Sequence, residues 1–169
     1  FNVSNDGKTI TTIEWFKHES NSNAGQYNSL IQLDEDSYAL AFYWYGSPWL
    51  GYLKTFTIQP DGTGIKEESV QLIHSADGRI GSSGAFNSTL KMDSDHLLVQ
   101  SRDRFNDGWV VSYKISDGGK TLTEDWKYEF ENQTMDWSWE RSLFHIDKDT
   151  YGIAYSGSGS DGWIKSLDM

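Results

Sequence analysis

Asn28-Ser29-Leu30-Ile31-Gln32-Leu33-Asp34-Glu35-Asp36 is the stretch whose reading decides the fold, because the chain writes it three times. It returns as Asn87-Ser88-Thr89-Leu90-Lys91-Met92-Asp93-Ser94-Asp95 and as Arg141-Ser142-Leu143-Phe144-His145-Ile146-Asp147-Lys148-Asp149. The marker serines Ser29, Ser88 and Ser142 lie 59 and 54 residues apart. A second signature follows each copy: Gly51-Tyr52-Leu53-Lys54-Thr55-Phe56, Gly108-Trp109-Val110-Val111-Ser112-Tyr113 and Gly162-Trp163-Ile164-Lys165-Ser166-Leu167. A period of this size belongs to propeller blades or a similar repeat array.

Each copy resolves into four short segments. In the first copy, segment a is Ser29 to Leu33, in which Ile31 and Leu33 point one way and Leu30 and Gln32 the other. Segment b is Tyr38 to Tyr43, and the Asp-x-Asp turn between a and b reads as a tight hairpin, since Asp side chains bond nearby amides. Segment c runs from Gly51 to Ile58, and Pro60-Asp61-Gly62 turns the chain into segment d, Ile65 to Ile73. Helical periodicity is missing and β-branched and aromatic residues dominate, so the chain reads as all-β.

The ends read as one split repeat. Phe1 to Ile10 matches Phe56 to Ile65 and Tyr113 to Leu122, so the N-terminus supplies a segment d, while the C-terminus stops after segment c. The expected domain is a single one over 1–169, with repeats at approximately 9–64, 65–121 and 122–169 plus 1–8. Three repeats of four strands also suit a β-trefoil or a β-prism. The apolar runs Tyr38-Ala39-Leu40-Ala41-Phe42 and Tyr151-Gly152-Ile153-Ala154-Tyr155 are continuous rather than alternating. That favours propeller blades covered on both faces, with the N-terminal strand completing the last blade and leaving no open edge. Propellers carry about 4–8 blades, so the expectation is a homodimer forming a six-bladed ring, or a place in a longer array.

The pattern Ser-Leu-x-x-Leu-Asp-x-Asp-x-Tyr, then Gly-[Tyr/Trp]-[Leu/Ile]-Lys-[Thr/Ser]-Phe-x-Ile and Asp-Gly, resembles tandem propeller-type repeats of large surface or secreted proteins of aquatic microbes. The resemblance covers essentially the whole chain. It implies structural or binding modules without assigned catalytic residues. The second copy departs from the pattern, with Val111 where the others have Lys54 and Lys165, and those lysines therefore read as outward strand residues.

Charge and composition exclude some partners. A formal net charge of −11 opposes nucleic acid, whose binding needs Lys and Arg to displace counterions. No run of about 18 apolar residues exists to insert into a membrane. The absence of cysteine excludes a disulfide scaffold and thiol catalysis. Because the chain opens at Phe1, a processed product or an excised segment is expected, and the location is read as extracellular or at the cell surface.

Candidate binding residues cluster where segment a begins and where b passes to c. Tyr27 with Asn28, and Phe86 with Asn87, place an aromatic ring beside an amide, as a sugar site requires. The competing reading is that the amides satisfy turn backbone. Trp137, Trp139, Glu140 and Arg141 gather indoles, carboxylate and guanidinium, which resembles the combination that propeller lectins use for sugars; core tryptophans with a surface ion pair are the alternative. Trp49, Arg102 and Arg104 fall on b–c connections that could line the same rim. The Asp-x-Asp turns supply too few oxygens for calcium, and the histidines lack metal-ligand spacing. No serine sits in a nucleophile elbow, so no catalytic residue, metal or cofactor is assigned. The expected function is a non-enzymatic, lectin-like module that binds a glycan. A structural or protein-binding propeller recognising a surface protein is the alternative, and a glycoside hydrolase fragment the third reading, because 25 acidic residues leave a carboxylate pair open.

Overall fold

The computed structural model describes residues 1–44, 50–73, 88–103, 105–133, 135 and 142–169. Among these, every regular element is a β-strand. The first sheet is the antiparallel meander β3 (Gln26–Gln32), β4 (Ser37–Trp44), β5 (Leu50–Thr57) and β6 (Lys66–Ile73). The second is β7 (Ser88–Lys91), β8 (His96–Arg102), β9 (Gly108–Ser116) and β10 (Thr121–Glu131). The third holds β11 (Ser142–Asp147), β12 (Thr150–Ser156) and β13 (Gly162–Asp168), while β1 (Asn2–Val3) and β2 (Ile10–Thr11) pair with each other. Segments a to d are thus successive strands of one sheet. The turns between a and b close as the sequence suggests: Asp93 Oδ1 accepts from the amides of Asp95 at 2.6 Å and His96 at 2.7 Å.

The sheets stack so that equivalent positions meet equivalent positions. The trailing face of the first sheet, with Leu33, Ala39, Ala41 and Leu53, packs on the leading face of the second, with Leu97, Val99, Val111 and Tyr113. The trailing face of the second, with Leu98 and Val110, packs on Leu143, Tyr151, Ile153 and Tyr155 of the third. This is why the b strands are apolar throughout: β8 is covered on both faces, and its residues from Leu97 to Arg102 are all buried. Apolar surface removed from water contributes about 25 cal/mol per Å², and such strands bury both of their sides.

The marker serine has a structural task. Ser29 Oγ accepts from the amide of Thr89 at 3.2 Å, and Ser88 Oγ accepts from the amide of Leu143 at 3.1 Å. Thr89 and Leu143 are the same repeat position, so each serine ties the first strand of its sheet to the first strand of the following sheet, β3 to β7 and β7 to β11.

One expectation needs correction. The N-terminal strand does not complete the third sheet within the chain: among the described residues β2 pairs only with β1 and the third sheet runs β11-β12-β13. The reason is placement. The residues after β2 lie on the leading face of the first sheet, where Phe16 meets the Phe56 ring at 5.8 Å and His18 the Phe42 ring at 4.9 Å. The second sheet stands between that face and the third sheet.

Candidate functional site

The start of each a and c strand and the end of each b and d strand come to one rim of the stack, as the antiparallel registers require. There, between the second and third sheets, the end of β10, still paired with β9 up to Glu131 opposite Gly108, sends Phe130 onto the leading face of the next sheet. Phe130 packs edge-on against the Tyr155 ring at 5.1 Å. Beside it, Glu131 Oε2 accepts from the Tyr155 hydroxyl at 2.7 Å and from Lys165 Nζ at 3.1 Å, and Lys165 also donates to the Phe130 carbonyl at 2.6 Å. The ammonium sits 5.5 Å over the Tyr155 ring, an arrangement favoured by the ring's negative face.

Electrostatics follow from these contacts. Burial works to raise the Glu131 carboxyl, but the Tyr155 hydroxyl, the Gln133 amide and Lys165 outweigh it and hold it below its ordinary range. Burial likewise opposes the Lys165 charge, and its hydrogen bonds to Tyr155 and Glu131 reverse the sign and raise it. Asp107 and Glu129 go the other way. Burial, then Asp103 and Glu131, pushes Asp107 up; burial, then Asp107 and Asp103, pushes Glu129 up. Asp103 itself is spent on the loop, accepting from the amides of Phe105 at 2.8 Å and Asp107 at 2.9 Å.

The first sheet repeats this device. Lys54 Nζ donates to Glu67 at 2.9 Å and to the His18 carbonyl at 2.5 Å, lies 3.6 Å from Glu19, and sits 5.5 Å over the Phe42 ring. Lys54 is buried. The reading of Lys54 and Lys165 as outward residues is therefore wrong: both point into the groove under the preceding chain segment, where a carboxylate meets them. Strand alternation alone could not say which face would be covered.

On the open side of the groove stands Trp163, one strand-face step from Lys165 on β13, with 52% of its surface exposed. Its ring edge lies where a Cβ at Gly157 would stand, 2.7 Å from Nε1, so the glycine lets the indole lie down on the loop. Sequence reading passed over Trp163 as part of the repeat signature. The signal available was that signature's aromatic slot, filled by Tyr52, Trp109 and Trp163, at the start of every c strand.

The sequence-nominated residues fare differently. Tyr27 and Asn28 begin β3 at an irregularity in register between Gln26 and Ser29, with Tyr27 at φ 54°, a left-handed backbone uncommon outside glycine. Tyr27 packs 6.2 Å from the Tyr43 ring, and the Asn28 amide donates to the Gly25 carbonyl at 2.9 Å. The amide thus satisfies turn backbone. Arg102 reaches the rim end of β8 but is only 1% exposed, so its guanidinium does not face solvent. Trp49, Phe86, Asn87, Arg104, Trp137, Trp139, Glu140 and Arg141 lie outside the described residues. The structure brings Trp163, Tyr155, Lys165 and Glu131 together instead. No protein-family model, curated protein sequence or solved structure matches this chain.

Proposed function

We propose that the chain is a propeller-type, non-enzymatic binding module that takes carbohydrate on this rim and acts outside the cell or at its surface. The observation that carries the reading is the half-exposed Trp163 indole beside the Lys165–Glu131–Tyr155 cluster. A flat aromatic ring stacks on the C–H face of a pyranose, and the adjoining ammonium and carboxylate fix hydroxyls. The blade reading rests on the stacking of equivalent faces, trailing on leading, twice in succession.

A glycan array followed by titration of any ligand found tests this. Trp163→Ala should weaken binding by roughly 1–3 kcal/mol, about fivefold to 150-fold, by analogy with other ring stacking. Phe105→Ala, which removes another exposed ring from the neighbouring loop, should leave it unchanged. A glycan bound equally well by the Trp163 variant, or no glycan at all, overturns the proposal.

A further inference from the structure

The N-terminal segment has the sequence of a fourth strand, yet among the described residues it pairs only within itself, β1 with β2. Ser4, Lys8, Thr9, Ile10, Thr11, Phe16, His18 and Glu19 align at a constant offset of 112 residues with Ser116, Lys120, Thr121, Leu122, Thr123, Tyr128, Phe130 and Glu131. The structure agrees at the far end: the His18 carbonyl and Glu19 meet Lys54 as the Phe130 carbonyl and Glu131 meet Lys165. His18 stands edge-on to Phe42 as Phe130 does to Tyr155, at 68° and 66°. Residues 16–19 are therefore already placed as the end of β10 is placed, on the leading face of the sheet that follows. Residues 10–15, whose equivalents in β10 pair with β9, have among the described residues no such partner strand beyond the short β1–β2 pairing, and Ile10 is 69% and Trp15 82% exposed.

The third sheet shows the converse vacancy. Its trailing face bears Phe144, Ile146 and Ile164, the repeat equivalents of Ile31, Leu33 and Leu53, yet they are exposed, Ile164 by 74%. Alongside β13, a cavity of about 490 Å³ opens between Ser166–Met169 and Trp126–Tyr128 of β10, on the side where β6 and β10 flank their own c strands. Gly162 repeats the sign. A Cβ on its equivalent Gly108 would stand 2.5 Å from the Phe130 ring, whereas nothing described lies within 4 Å of one on Gly162.

We infer that a second copy of this chain fills these vacancies: its residues 10–17 add to β13 as a fourth strand, and the leading face of its first sheet covers Phe144, Ile146 and Ile164. The partner is a second copy because the strand that β13 lacks is what the chain itself carries at its other end, next to a first-sheet leading face on which Leu30 is 60% exposed while Leu40, Phe42 and Phe56 are already buried beside the chain's own Phe16 and His18. The contact continues the interface already formed twice inside the chain. By twofold symmetry each copy donates one strand and accepts one, closing six sheets and leaving no sheet edge at either seam.

Register makes this testable. Thr123 pairs with Lys114 in the second sheet and Lys66 with Thr57 in the first, and both carry over to Thr11 opposite Asp168 of the other copy. The chain has no cysteine, so Thr11→Cys and Asp168→Cys introduce the only thiols, both at exposed positions. The two variants, distinguished by a mass tag, are mixed and oxidised. The mixed two-chain product should exceed each like-with-like product by about tenfold or more, and light scattering of the unsubstituted chain should give two chains. Products in the random ratio of about two to one to one, or none, overturn the inference. So does a one-chain link in the double variant, which would mean that the strand reaches its own β13.

Discussion

Gly108 and Gly162 occupy one repeat position, and substituting each with alanine should have opposite consequences in the single chain. At Gly108 the added methyl would stand 2.5 Å from Met135 Sδ and 2.5 Å and 2.7 Å from Phe130 ring carbons, where about 3.5–4.0 Å is comfortable. About 1 Å of retreat is needed. Neither neighbour can give it cheaply, because Met135 is fully buried and Phe130 is wedged against Tyr155. Overpacking of this kind costs roughly 1–3 kcal/mol, offset by about 0.4–1 kcal/mol for the reduced freedom of the unfolded chain. The net expectation for Gly108→Ala is a loss of about 1–2 kcal/mol. Gly162→Ala meets open space, so in dilute solution only the second effect acts and stability should rise by about 0.5 kcal/mol. Urea unfolding followed by tryptophan fluorescence, at a concentration low enough to keep chains apart, reads both from the shift in midpoint at constant slope. Equal effects, within about 0.5 kcal/mol, would refute the reasoning that the d strand's ring dictates glycine here.

The rim makes further predictions. Glu131→Gln keeps one acceptor oxygen but removes the negative charge that Tyr155 and Lys165 share, turning two charge-assisted bonds into neutral-acceptor ones, and should cost about 1–2 kcal/mol at pH 7. Glu131 is held below its ordinary value of 4.5, so its contribution is present above that pH and fades as pH falls through the depressed value; the variant's acid unfolding curve should converge on the parent's there. Asp107 is raised by burial and by Asp103 and Glu131, so its ionised form opposes folding. Asp107→Asn should therefore raise stability at pH 7 by on the order of 0.5 kcal/mol, discounted for its partial exposure, and the gain should disappear in acid; a loss at pH 7 would contradict the charge argument. Trp163→Ala should abolish most glycan affinity without moving the urea midpoint by more than about 0.5 kcal/mol, since half the ring is already in water. Loss of folding instead would make Trp163 a packing residue.

Much of the architecture was legible in the chain. Three copies of one pattern, Asp-x-Asp turns and continuous apolar b segments dictate antiparallel meanders whose middle strands are buried on both faces, because period-two strands with no polar side cannot face water. The N-terminal match to segment d was also readable. Partner choice was not. Alternation says which side of a strand Lys54, Lys165 or Arg102 occupies, but whether that side is covered depends on the neighbouring sheet and on the chain segment that crosses it. Those contacts are non-local, so the burial of Arg102, the union of Lys165 with Glu131 and Tyr155, and the exposure of Trp163 emerge only when the sheets stack. For the same reason the sequence could specify a fourth strand without saying which sheet receives it. Strand complementarity is local, whereas the distance between the two ends of a three-sheet stack is set by tertiary packing.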